Sequence, residues 1–397
     1  MKELKLVCGV IKGDNKSYCV KRLILDVNNK NYVKENVNSW RLIVLKILGR
    51  LFPILEQKDV YCFRKWFYFR GRCRREIDII HTYNRVCVTN KKWVCSFEGK
   101  VPAYFESQMD IGHRVIKKRL KLIEDNKCIK LLPMSKYAYD YEISLLKAHC
   151  KNEEIEKIKQ KMEVLYPPQK LLVDSVDEGK YNNMETLKFI YVGRDFFRKG
   201  GYNCFCVLRE LRKKYQIELT LIGKVNIKKD AGFRAKECNY DSLLEEMRVC
   251  KEWLNYYEEL NNETVLKLIK ESHVGLLPTY GDTFGFSVLE MQASGVPVVT
   301  TNRQALKEIN NDNCGWIIDT YNYADVDKRY YIESDISKYE EFVQAELYKI
   351  VEDICIKPEQ IQIKAVNAYE RVRRDHSIDK YSDRLAEIYA EGLDVEG

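Results

Sequence analysis

Two consecutive prolines, Pro167-Pro168, constrain this chain more than any other feature, because they fall between two series of short apolar runs and helical patterns. Neither can sit inside a helix or a central strand. The segment from Val164-Leu165-Tyr166 to Asn183 therefore reads as a linker. Before it, strand-like runs at Leu6–Ile11, Arg22–Val27, Asp78–Tyr83, Trp93–Glu98 and Ile129–Met134 precede one charged helix, about Tyr139 to Met162. After it, runs at Leu187–Val192, Ile217–Ile222, His273–Leu277, Val296–Thr300 and Trp316–Asp319 alternate with helical patterns at Tyr202–Tyr215, Glu263–Ser272 and Phe284–Ser294. Strand–helix alternation predicts parallel α/β sheets.

The expected fold is thus α/β with two Rossmann-like, doubly wound domains facing each other across a cleft. A chain of 397 residues exceeds one ordinary core. The expected boundaries are 1–168 for the first domain and 184–357 for the second. Charged helices over 358–397 are expected to pack back toward the first. Ligands of such sheets bind outside the carboxyl ends of the strands, so the cleft between the domains is the expected site.

Composition narrows the class. With 45% hydrophobic and 32% charged residues the chain is ordinary globular protein. Its net charge of +8 suits contact with phosphates or an anionic surface. The 14 cysteines include no Cys-x-x-Cys pair and there are only five histidines, so a zinc framework is not expected. Met1-Lys2-Glu3-Leu4 reads as the approach to a strand rather than as a signal peptide, and reduced thiols in the cytoplasm are the expectation. The longest apolar segment, Trp40 to Leu55, is interrupted by Arg41, Lys46, Arg50 and Pro53, short of a spanning helix.

Chemistry concentrates in two segments of the second series. Gly193-Arg194-Asp195-Phe196-Phe197-Arg198-Lys199-Gly200 joins a buried strand to a helix. Glycines at such a turn let backbone N–H groups approach an anion. A guanidinium such as Arg194 grips a diphosphate through two bonds, and an ammonium such as Lys199 adds a point charge. The second segment, Pro278 to Glu290, also leaves an apolar strand. Thr283 reads as a helix N-cap, with Asp282 before the helix and Glu290 two turns inside it. Eight helical residues span about 12 Å, so these carboxylates cannot share a proton or a metal. They could read hydroxyls at the two ends of a long ligand, with the helix start between them as an anion site. Taken alone, each segment is also compatible with a solvated loop and an ordinary helix start.

Together the two segments resemble the donor-binding half of the GT-B glycosyltransferases of family 4, the group 1 transferases. These carry Gly-Arg…Lys-Gly after the first strand of the second domain and then a Glu-x7-Glu signature. The signature here reads Asp282-x7-Glu290, with its first acid shortened. Ala293-Ser294-Gly295-Val296-Pro297-Val298-Val299 resembles the family's turn and strand after the signature, and Glu308 and Gly315 fall where the family has Glu and Gly. The likeness covers about 164 to 320. It implies catalytic roles for Arg194, Lys199, Asp282 and Glu290, and donor contacts from Gly193, Thr283, Phe284, Gly285 and Phe286.

The first domain is similar to the family in fewer places. His81, Tyr83, Glu98 and Ser135 fall at strand ends where acceptor-facing residues are implied. His81 is also readable as a core histidine. Tyr61 to Arg75 holds six basic residues, six aromatics and no acid. Arg64, Lys65, Trp66, Arg70, Arg72, Arg74 and Arg75 suit a membrane interface. Single-stranded nucleic acid accepts the same pattern, as does an Arg-rich surface over core aromatics, but nucleic acid is not the expected partner. Asp325-Val326-Asp327 sits in a polar loop rather than after an apolar strand and reads as coincidence, so no metal and no bound cofactor are expected.

The resemblance implies a retaining hexosyltransferase that moves a sugar from a nucleoside-diphosphate sugar to an acceptor, and the lack of a ligand cluster makes it metal-independent by expectation. The basic and aromatic stretch adds the expectation of a glycan or lipid-linked acceptor in cell-envelope polysaccharide synthesis, met in the cytoplasm or peripherally on the inner face of the membrane. Two other readings remain open: a sugar-nucleotide epimerase, and a binding module that keeps the fold without turnover.

Overall fold

A computed structural model describes residues 8–11, 17–27, 32–35, 68–70, 75–101, 113–182, 184–225, 240–323 and 333–393. The chain divides into two compact units: residues 1–168 with 376–397, and residues 169–375.

Unit 1 carries a five-stranded parallel sheet of β1 (Cys8–Ile11), β2 (Tyr32–Glu35), β4 (Ile79–Tyr83), β6 (Lys92–Phe97) and β7 (Cys128–Pro133), in the order β2-β1-β4-β6-β7. β3 (Tyr68–Arg70) and β5 (Val86–Val88) form a separate parallel pair. β1 leads to α1 (Tyr18–Val20), which runs on into a wider helical turn, Lys21–Leu25. The strand expected at Arg22–Val27 is therefore helical. Val20, Leu23, Ile24 and Val27 are buried, which is helical spacing rather than the alternation of a strand.

α2 (His113–Glu124), α3 (Lys136–His149) and α4 (Asn152–Gln160) cover this sheet. The single helix expected from Tyr139 to Met162 is in fact two. Lys151 is extended, and its N–H donates to Glu154 Oε2 at 2.8 Å, starting α4 afresh. The core joins Ile80, Trp93, Cys95, Phe97 and Leu131 of the strands to Leu120, Leu146, Ile155 and Ile158 of the helices.

Unit 2 is a six-stranded parallel sheet of β8 (Leu187–Val192), β9 (Ile217–Ile222), β10 (Leu254–Tyr257), β11 (Val274–Leu277), β12 (Val298–Thr301) and β13 (Gly315–Ile318). Its order is β10-β9-β8-β11-β12-β13. The helices of this unit are α5 (Gly201–Leu211), α6 (Tyr240–Val249), α7 (Asn262–Glu271), α8 (Phe286–Ala293), the short α9 (Leu306–Ile309), α10 (Glu333–Ile356) and α11 (Gln360–Asp375). β8 and β11 sit at the centre of the sheet and are almost wholly apolar and buried, as strands covered on both faces must be.

The expected terminal block 358–397 is divided between the units. α11 lies with unit 2, where the Tyr369 hydroxyl donates to Asp174 O at 2.7 Å. α12 (Ile378–Glu391) lies with unit 1, where Arg384 grips both oxygens of Glu163, at 2.6 and 2.8 Å.

Candidate functional site

The strand order of unit 2 reverses at its centre. From β8 the chain steps one way to β9 and β10, then returns to the other side for β11, β12 and β13. Ligands of open α/β sheets collect at the carboxyl ends of the strands flanking such a reversal. The two loops there are 193–200, after β8, and 278–285, after β11, which are the two segments singled out by sequence.

These loops are built against each other. Gly200 has φ +83, and a Cβ there would lie 2.3 Å from Pro278 O, so only glycine lets the loops meet. Tyr280 N donates to Arg198 O at 2.9 Å, and the Thr279 hydroxyl donates to Gly281 O at 3.0 Å. Arg198 Nη1 donates to Gly281 O at 2.7 Å, and its other nitrogen pairs with Asp195. Arg198 ties the two loops together, a role sequence reasoning missed. Its only signal was a second cation beside Lys199.

Lys199 and Asp282 form an ion pair across the loops, with side chains 14% and 15% exposed. The other Asp282 oxygen accepts from Phe284 N at 3.2 Å and Gly285 N at 2.9 Å. Burial alone would raise the Asp282 carboxyl. The Lys199 ammonium and the backbone N–H of Phe284 outweigh it and hold the group below its usual value. Burial pulls the Lys199 ammonium down, opposed by Asp282.

The helix begins later than expected. Gly285 is its N-cap, at φ +87, and Phe286 is its first residue. A Cβ at Gly285 would lie 2.7 Å from Leu306 Cδ2. Asp282, not Thr283, therefore satisfies the amides before α8, and Glu290 lies little more than one turn inside the helix. The helical span of about 12 Å between the two acids does not apply, because Asp282 stands in a loop.

Gly193 closes β8, its N–H donating to Ile222 O at 2.9 Å. Arg194 is exposed and has no hydrogen-bond partner among the described residues. Glu290 and Phe286 are half-buried. The Phe284 ring is fully buried with its centroid 5.1 Å from that of Phe286, so only its backbone is available to a ligand.

In unit 1 the expected acceptor residues separate. His81 is fully buried, with Nδ1 2.6 Å from Tyr389 Oη and Nε2 2.9 Å from Ser96 Oγ. Burial lowers its pKa to about 3, so it is neutral, with neither ring nitrogen left for an acceptor. Ser135 is likewise buried and is the N-cap of α3, accepting from Ala138 N at 3.0 Å. These two are core and cap residues. Tyr83 and Glu98 stand at the carboxyl ends of adjacent strands, β4 and β6.

Of the basic stretch, Arg64, Lys65, Trp66, Arg72 and Arg74 lie outside the described residues, as do Asp325 and Asp327. Arg70 ends β3, and Arg75 is exposed in a turn. Among the described residues no group of three His, Cys, Asp or Glu could hold a metal ion, and no helix is long and apolar enough to cross a membrane.

Residues 176–343 match the family model described as glycosyl transferases group 1. The chain resembles the GT-B glycosyltransferases, and its two parallel sheets are the two Rossmann-like domains of that fold. Among solved structures, it is similar to Anabaena HepE in complex with UDP and glucose, at 11% identity and TM-score 0.61, covering 97% of this chain and 99% of that one. It is similar to sucrose-phosphate synthase from Thermosynechococcus elongatus at 13% identity and TM-score 0.63, covering 98% and 100%. A glycosyltransferase from Rickettsia africae gives 15% identity and TM-score 0.60, covering 98% and 99%. At these identities the likeness is one of fold. No curated protein matches the sequence at a significant level.

Proposed function

We propose, for a chain that resembles the group 1 glycosyl transferases and has their GT-B fold, that it moves a sugar from a nucleoside-diphosphate sugar to an acceptor hydroxyl with retention of anomeric configuration. The observation that carries this reading is the Lys199–Asp282 pair, set beside the start of α8 at the strand-order reversal of unit 2. A cation, a helix start and a carboxylate within one crevice match the diphosphate and sugar of such a donor. The complex of HepE with UDP and glucose supports a donor of this class.

In the reaction the bond between the anomeric carbon and the diphosphate oxygen breaks. Lys199, held beside the crevice by Asp282, and Arg194 stabilise the charge that develops on the leaving diphosphate. The N–H groups at the start of α8 add to this. Lys199 has three donors, so it can turn toward the diphosphate while Asp282 takes a sugar hydroxyl. Glu290 holds the ribose. The acceptor hydroxyl attacks from the face the diphosphate leaves, and its proton passes to the departing phosphate oxygen. Charge neutralisation is assigned to these side chains, so activity is expected to survive EDTA.

A glycan or lipid-linked acceptor of the cell envelope, met on the inner face of the membrane, completes the reading. It is supported by the basic and aromatic composition of Tyr61 to Arg75 in unit 1. The test of the donor reading is incubation with UDP-, GDP- and ADP-sugars in EDTA, following both thermal stabilisation and release of nucleotide. A ligand at about 100 times its dissociation constant adds about 2.7 kcal/mol. One donor is expected to stabilise the protein and to be slowly hydrolysed. Stabilisation with no release under any condition, acceptor sugars included, would leave a binding module instead.

A further inference from the structure

β8 and β12 flank β11 in the sheet, so the loop after β12 approaches the donor loop 278–285 from the side opposite Lys199. That loop is held from several directions. Asn302 Nδ2 donates to Asp319 Oδ1 at 2.7 Å, and Asn302 Oδ1 accepts from Thr320 N at 3.0 Å and from the Thr320 hydroxyl at 2.7 Å. Arg303 is buried, donates to Tyr323 O and lies over the Tyr339 ring, its Cζ 5.1 Å from the centroid. Ala305 N donates to Asp282 O at 3.4 Å.

Between these fixed neighbours Gln304 stands in the left-handed region, at φ +51. Among the described residues only Asn84 shares this region without being glycine, and asparagine favours it where glutamine does not. The conformation costs energy that a glycine would not pay. Residues kept in such a state by their surroundings cluster at ligand sites. The Gln304 carboxamide lies over Gly281: a Cβ there would come within 3.1 Å of Oε1 and 3.2 Å of Nε2, so any side chain at that position would press on the amide. Gln304 is half-buried, and its amide makes no hydrogen bond to another described residue.

The donor loop that carries Asp282 therefore has a cation on its β8 side and a neutral carboxamide on its β12 side. The charge of a nucleoside-diphosphate sugar sits on the diphosphate, which belongs with the cation. The sugar is the uncharged part, and its hydroxyls both donate and accept. A carboxylate only accepts, so Asp282 takes the proton of one hydroxyl. The carboxamide also donates, so Gln304 Nε2 can serve the oxygen of the next. We propose that Gln304 is a specificity-determining residue for the donor sugar, favouring sugars with a hydroxyl beside the one taken by Asp282 over deoxy sugars and epimers in which it is missing or inverted. The inference rests on the donor reading above, since it supposes that a nucleoside-diphosphate sugar occupies the crevice beside Asp282.

The test is titration calorimetry on the full chain with the nucleoside diphosphate that binds best, carried in turn by glucose, galactose, mannose and 2-deoxyglucose. The free nucleotide is measured in parallel. Wild type should bind its preferred donor at least about fivefold more tightly than the donor whose sugar leaves the amide unpaired. Gln304→Met, of similar length but without the amide, should largely lose that preference and bind free nucleotide as wild type does. Gln304→Gly removes the left-handed strain together with the amide. It should show the same loss at a melting temperature no lower than that of wild type, whereas a structural role would lower it. A wild type indifferent to the sugar, a preference kept in both variants, or free nucleotide weakened as much as intact donor would overturn the proposal and leave the donor reading standing. Failure of every nucleoside-diphosphate sugar to bind would overturn both.

Discussion

Lys199 and Asp282 are 83 positions apart and are joined by an ion pair that closes the loop after β8 onto the loop after β11. Arg198 adds a smaller attraction to Asp282, and Asp195 adds one to Lys199. Removing one member of a buried pair typically costs about 3–5 kcal/mol, because the survivor is left uncompensated. Lys199→Met and Asp282→Asn should each lower stability in urea by an amount of that order. The double variant should lose clearly less than the sum, as coupled neighbours do. Additive losses would mean that the two side chains do not depend on each other. Because the folded Asp282 carboxyl lies below its ordinary value of 3.8, its contribution is present above that pH and is lost as pH falls through the folded value.

Arg194 presents the opposite case. It is exposed and has no partner among the described residues, so the fold does not need it. Arg194→Ala should change stability by no more than about 0.5 kcal/mol. A charged hydrogen bond to the diphosphate contributes about 1.5–3 kcal/mol, so the same variant should lose at least about tenfold in kcat/KM. Loss of melting temperature together with activity would reassign Arg194 to structure.

The two acids should separate by ligand. Glu290→Gln is expected to weaken free nucleotide and intact donor alike, since both carry the ribose. Asp282→Asn is expected to spare free nucleotide and to damage transfer. Titration calorimetry with UDP and with a UDP-sugar tells them apart, and the reverse pattern would turn the donor end for end along α8.

The legibility of this site in the sequence was uneven for physical reasons. β8 and β11 are plain because both lie at the centre of the sheet: β11 is apolar and buried throughout, and Lys188 alone interrupts the apolar run of β8. β10 was missed because it is an edge strand in which Leu254 is buried while Asn255 and Tyr257 face solvent. The start of α8 lies two residues later than the sequence suggests. Thr283 is a good N-cap by type, but Asp282 already takes the amides of Phe284 and Gly285, and the left-handed Gly285 ends the turn. His81 looked chemical from its strand end. Its partners, Ser96 and Tyr389, are 15 and 308 positions away, and no local pattern reveals a pairing with the last helix.

Glu142 gives a stability signature independent of the donor site. It is fully buried in α3, with Oε2 accepting from Val101 N at 2.9 Å and Oε1 unpaired. Burial, opposed by that N–H and by Lys100, raises its pKa from 4.5 to about 8. The folded state therefore holds a proton that the unfolded state releases. The contribution is complete below the unfolded value of 4.5 and is lost progressively until pH has passed through about 8. Glu142→Gln keeps the acceptor for Val101 and has no proton to lose. Its urea midpoint should vary less than wild type between those limits and should equal or exceed wild type at the alkaline end. An unchanged slope would remove Glu142 from the titration.

The last expectation concerns where the protein works. The stretch Tyr61 to Arg75 belongs to unit 1, the half to which the acceptor is assigned. A lipid-linked acceptor stays in the bilayer, so the enzyme must come to it. Cations near an anionic leaflet contribute about 1 kcal/mol each, and stable attachment takes two kinds of signal. Six cations among six aromatics, following the apolar Trp40 to Leu55 segment, offer both charge and apolar contact. Wild type should float with vesicles containing anionic lipid at low salt, and less so at high salt, where the charges are screened. Changing Arg70, Arg72, Arg74 and Arg75 to Ser should abolish flotation while leaving UDP affinity intact, because the nucleotide is assigned to unit 2. Indifference of the wild type to anionic vesicles at low salt would end the membrane reading and would leave the Lys199–Asp282 assignment untouched.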